Sequence, residues 1–176
     1  DIGIFTELKN LDLESNQLKT LPAAIGQLTK LQVLNLYKNP MQILPPEVGQ
    51  LKMLKTLDVD FQNLQVPPKE VVQEGDASRV LKYLRLFVTA RETGELLVDK
   101  YGLLTVPPDV MSFTFVKRIV LSYNKLKILP MDFGVFVELE ELLLDHNQLQ
   151  KLNASVGSLL QLKTLHLQSN NLHDLP

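Results

Sequence analysis

The chain has 176 residues, a formal net charge of −2, and neither cysteine nor tryptophan. That length suits about one ordinary domain with a real core, and the slight acidic excess gives no basis for nucleic-acid binding through phosphates. Without thiols, disulfides, thiolate metal sites and a cysteine nucleophile are excluded, which favours a cytoplasmic protein over a disulfide-capped extracellular one. No apolar run reaches the roughly 20 residues that span a bilayer, and Asp1-Ile2-Gly3 does not begin a signal peptide, so no membrane insertion is expected.

In chain order, Ile2, Gly3 and Phe5 match the end of a repeat. The first full unit follows with Leu8, Leu11, Leu13, Asn16, Leu18, Leu21, Pro22, Ile25, Gly26 and Leu28. The next starts 23 residues later with Leu31, Leu34, Leu36, Asn39, Met41, Leu44 and Pro45. A third carries Leu54, Leu57, Val59, Gln62 and Leu64. Residues 77–92 interrupt the phase and read as a helix. Asp76 can cap it, Val80, Leu81, Leu84, Phe87 and Val88 recur at helical spacing, and Lys82, Arg85 and Thr89 lie opposite. A fourth unit has Thr93 at its first leucine position and Tyr101 at its Asn position, with Leu96, Val98 and Leu103 in phase. Units beginning at Val116, Leu139 and Leu162 complete the chain, which ends in mid-repeat at Leu175-Pro176. Three segments result: a first repeat block over 1–76, an inserted helix over 77–92 that joins the blocks, and a second repeat block over 93–176. We expect one continuous solenoid that is a fragment of a longer array.

The physics follows from the spacing. Counting the first leucine of each unit as offset 0, the residues at offsets 0, 3 and 5 point inward from a short strand, because strand side chains alternate between faces. One unit cannot bury its leucines, but stacked units bury them as a continuous core with a parallel sheet on the concave side. The expected fold class is α/β, a curved leucine-rich-repeat solenoid with one inserted helix. Its strands are expected near 10–14, 33–37, 56–60, 95–99, 118–122, 141–145 and 164–168, with extended and short helical turns on the convex side. An amide side chain can donate and accept where the strand turns away, so Asn16, Asn39, Asn124, Asn147 and Asn170 are expected to form a ladder.

Positions that the repeat does not dictate carry any function. The chain has no Gly-rich phosphate loop and no H-E-x-x-H. Asp145-His146 is the best acid–imidazole pair, but neighbours on a strand point to opposite sides. His146 and His166 fall at different offsets, which suits no metal site. No catalytic residue, metal site or cofactor is expected. The outward columns are more informative. Asp12, Asn35, Asp58, Leu97, Val120, Leu143 and His166 share one offset. Two positions on stand Glu14, Tyr37, Asp60, Asp99, Ser122, Asp145 and Gln168, followed by Ser15, Lys38, Phe61, Lys100, Tyr123, His146 and Ser169. A solvated face would account for the charges, whereas an outward aliphatic row and aromatic anchors mark contact surfaces. The candidate partner-binding residues are Tyr37, Asp58, Asp60, Phe61, Leu97, Asp99, Val120, Tyr123, Leu143 and Asp145.

The stretch L-K-N-L-D-L-E-S-N-Q-L-K-T-L-P-A-A-I-G-Q-L, from Leu8 to Leu28, resembles the 23-residue class of intracellular leucine-rich repeats. That class includes the Ras-suppressor, Erbin and Scribble types, plant Ras-group repeat proteins and some bacterial repeat proteins. Residues 67–85 resemble the way such arrays end, and residues 90–96 the way they begin. The resemblance implies a non-enzymatic protein-binding scaffold and leaves the partner open; the acidic columns favour a partner with a basic surface. The alternatives are the recognition or regulatory array of a larger signalling enzyme (kinase, GTPase or ligase) and a purely architectural segment.

Overall fold

The computed structural model describes residues 1–73 and 75–175. It divides into two compact units, Asp1–Val88 and Thr89–Pro176. Unit 1 holds a parallel three-stranded sheet of β1 (Asn10–Asp12), β2 (Val33–Asn35) and β3 (Thr56–Asp58). Unit 2 holds a parallel four-stranded sheet of β4 (Glu95–Leu97), β5 (Arg118–Val120), β6 (Glu141–Leu143) and β7 (Thr164–His166). Every strand begins at the residue the repeat phase predicts. The architecture is α/β, of leucine-rich-repeat type, with an additional helix.

The strands span three residues rather than the five expected. Three residues beyond each strand, at offset 7, Ser15, Lys38, Lys100, Tyr123, His146 and Ser169 adopt positive φ between 54° and 62°. A left-handed residue turns the backbone out of the strand. In the third unit Phe61 instead opens a 3-10 turn, Phe61–Asn63. Inward positions are sealed: Leu34, Leu36, Leu96, Val98, Ile119, Leu121, Leu142 and Leu144 have no exposed surface. Leu11 on β1 and Leu13 just after it are half-buried, and Leu165 on β7 is exposed, whereas Leu57 and Leu96 on the other two edge strands, β3 and β4, are buried.

The L-P-x-x-I-G segments form 3-10 helices at Ala23–Gln27, Pro46–Gln50 and Ala154–Ser158. Where Val72 and Met111 replace the glycine of that motif, the turn is α-helical, as α1 (Lys69–Val72) and α3 (Pro108–Met111). The inserted segment forms α2 (Ala77–Thr93), one residue longer than expected. Asp76 caps it, its carboxylate accepting from the Ser78 N–H at 2.8 Å. The buried face departs from the sequence reading. Val80, Tyr83, Leu84 and Phe87 are sealed, whereas Leu81 and Val88 are half-buried. The buried Tyr83 ring packs edge-on against Phe87, with centroids 5.1 Å apart. Lys82, Arg85 and Thr89 are exposed as expected. Gly49 allows the close approach of α2 in unit 1, since a Cβ there would lie 2.5 Å from the Arg85 nitrogen.

The asparagine ladder forms in both units. Asn124 donates through Nδ2 to the Val98 and Leu121 carbonyls at 2.8 and 2.9 Å, and its Oδ1 accepts from the Tyr101 and Leu103 N–H groups. Asn39, Asn147 and Asn170 repeat this pattern on their own neighbours. Asn16, just beyond β1, donates to the Leu13 and Glu14 carbonyls of its own repeat and is exposed.

Candidate protein-binding faces

Strand alternation and parallel register place like offsets side by side. In unit 2 the register pairs Leu97 with Val120, Val120 with Leu143, and Leu143 with His166. Leu97, Val120 and Leu143 therefore form one aliphatic row on the outward face. Leu97 is 40% exposed, and Val120 and Leu143 are half-buried. The row lies between two polar borders. One is an ion-paired column that the sequence reading passed over: Arg118 sits between Glu141, with Nε–Oε2 of 3.3 Å, and Glu95, with Nη1–Oε2 of 3.9 Å. Opposite charges at one offset of three successive units were the available signal.

The other border carries Asp99, Tyr123 and Asp145 of the predicted set. Tyr123 is exposed and stacks on His146, with ring centroids 4.2 Å apart at 11°. The Lys100 ammonium lies 5.4 Å from the same ring on its other neighbour, and 3.8 Å from Asp99. Asp145 differs from expectation in its surroundings. It is 7% exposed, and its carboxylate accepts from the Ser122 hydroxyl at 2.5 Å, so it does not offer an open charge. The side chains of Asp145 and His146 diverge, one to Ser122 and the other to Tyr123.

In unit 1 the predicted Tyr37, Asp58, Asp60 and Phe61 also meet on the outward face. Tyr37, Asp58 and Phe61 line one open depression of about 430 Å³ with Glu14, Asn35 and Val59. Asp60 and Phe61 border an adjoining one that reaches Val72 and Gly75. Lys38 places its ammonium 2.9 Å from Glu14 and 5.4 Å from the Tyr37 ring centre. Hydrogen bonding to Lys38, and then to Asn35, holds the Glu14 carboxyl below the usual range, and the same contact holds Lys38 above its own. Among the described residues no three His, Asp or Glu side chains group as a metal site, and no helix is long and apolar enough to cross a membrane.

Residues 6–66 match the leucine rich repeat family. A comparison with curated proteins gave no match. Among solved structures, a leucine-rich-repeat protein of Leptospira interrogans is 28% identical over 97% of this chain and 51% of its own, with a TM-score of 0.45. The leucine-rich repeat domain of the type III effector XopL is 22% identical over 61% of this chain and 40% of its own, with a TM-score of 0.45. The functional domain of InlJ from Listeria monocytogenes is 24% identical over the whole of this chain and 33% of its own, with a TM-score of 0.43. The chain thus spans about half the length, or less, of these structures.

Proposed function

We propose that this chain is a non-catalytic recognition module that binds a protein partner on the outward face of its sheets. The observation that carries the proposal is the aliphatic row Leu97, Val120, Leu143, aligned across three strands where the repeat demands no apolar residue. Contiguous outward apolar surface favours contact, and its burial is worth about 25 cal/mol per Å² before the costs of association. Tyr123, stacked and exposed, is a pre-ordered aromatic anchor at its border. Asp99 on that border, and Asp58 and Asp60 in unit 1, favour a partner with basic residues and faster encounter at low salt. The 23-residue phase supports the intracellular class of such repeats, and with it a cytoplasmic scaffold, as part of the same proposal.

Binding of an identified partner to the parent chain and to a Val120→Glu/Leu143→Glu variant tests the proposal. We expect binding to be lost while circular dichroism and melting stay near those of the parent. Equal affinities would move the binding site away from this row.

A further inference from the structure

On the outward face of unit 1, three of four carboxylates are already engaged by the chain itself. Asp12 accepts from the Glu14 N–H at 3.0 Å, Asp60 from the Lys38 N–H at 3.2 Å, and Glu14 from the Lys38 ammonium at 2.9 Å and the Asn35 amide at 3.3 Å. The fourth residue, Asp58, is exposed, and its carboxylate takes no hydrogen bond or ion pair from the described residues. It shares the 430 Å³ depression with Tyr37 and Phe61. The same face shows what such a set accommodates: the Lys38 ammonium lies 2.9 Å from the Glu14 carboxylate and 5.4 Å from the Tyr37 ring centre. Asp58 with Phe61 and Tyr37 is a second carboxylate-and-ring set, without a cation of its own.

We infer that this depression is a receptor for one basic side chain, arginine or lysine, presented by a protein partner. The inference deepens the protein-binding reading and rests on it. Three physical terms act together. Asp58 supplies the counter-charge, the rings of Tyr37 and Phe61 supply negative faces for cation–π contact, and the depression lets the aliphatic stem leave water beside Val59. Neighbouring Glu14 lines the same depression, but its charge is already matched by Lys38. Lys38 also discriminates, because its charge repels a second cation from Glu14 and leaves Asp58 as the open partner.

The test is an NMR titration of the full chain with capped Gly-Arg-Gly, Gly-Lys-Gly and Gly-Gln-Gly tripeptides. The two basic peptides are expected to move the amides of Tyr37, Asp58 and Phe61 saturably, with affinity on the order of millimolar, and the glutamine peptide is not. Asp58→Asn, an exposed change, is expected to weaken the basic peptides about five-fold, as is Phe61→Leu. Equal shifts from the glutamine peptide, shifts spread over the acidic surface, or affinities indifferent to Asp58→Asn would overturn the inference. A partner that still requires Val120 and Leu143 would then keep the broader proposal standing, so the two failures are separable.

Discussion

Asn124 and Asn147 are buried at 6% and 7% exposure, and each satisfies backbone groups of two successive repeats. Replacing either by alanine strands carbonyl and N–H groups away from water, which we expect to cost about 1–3 kcal/mol, read as a lowered denaturation midpoint. Asn16→Ala is expected to cost much less, because its site is open to water; equal losses at all three positions would contradict the ladder account. Glu140 gives a pH prediction. Hydrogen bonds from Lys163, at 2.6 Å, and then Lys117 hold its carboxyl below the usual glutamate range. Its contribution to stability is therefore present above the unfolded value and is lost as pH falls through the folded one. A carboxyl-detected NMR titration is expected to show a midpoint below that of an ordinary glutamate, shifting upward in Lys163→Met.

Two glycines at the same offset separate at the level of the element. Gly49, in the turn Pro46–Gln50, faces the backbone of α2, where a Cβ would lie 2.5 Å from the Arg85 nitrogen and 2.8 Å from its Cα. Backbone cannot swing aside as a side chain does, so Gly49→Ala is expected to destabilise unit 1 by about 1–3 kcal/mol. Gly157, in the turn Ala154–Ser158, has nothing within 4 Å of the equivalent position, and Gly157→Ala is expected to stay within about 0.5 kcal/mol of the parent. Matched thermal melts decide it, and similar effects for both would remove α2 packing as the reason. The helix makes the same point through its side chains. Leu84 is sealed, so Leu84→Asp buries an unpaired charge and is expected to disrupt unit 1 cooperatively, whereas Lys82→Asp is not.

Across the molecule, stability in a repeat array is a sum over units and the interfaces between neighbours. Leu142, sealed on the inner strand β6, has a neighbour on each side, whereas its counterpart Leu165 on edge strand β7 is 37% exposed. Leu142→Ala is expected to cost about 2–5 kcal/mol, and Leu165→Ala distinctly less. Hydrogen exchange is expected to follow the same gradient, fastest in β1 and β7 and slower in β2, β5 and β6. Uniform protection across the strands would mean that cooperativity, not neighbour contact, governs local opening.

Phase alone made the start of each strand, the inward leucines and the asparagine ladder legible, because these depend on period and on the bonding capacity of single side chains. The existence of α2 and its cap were legible for the same reason. The choice of Tyr83 over Leu81 as a buried residue was not, since two nearby positions on a helix differ only in what the opposing surface can accept. Nor did composition distinguish Asp145, turned onto Ser122, from Asp58, which stays open. Both occupy acidic columns, and their difference lies in which donor a neighbouring repeat brings within reach. The outward row Leu97, Val120, Leu143 was readable as a pattern, whereas the ion pairing of Arg118 with Glu95 and Glu141 beside it depended on side-chain placement across strands. Local period determined where each residue stands; contacts between neighbouring repeats decided which groups remain available to a partner.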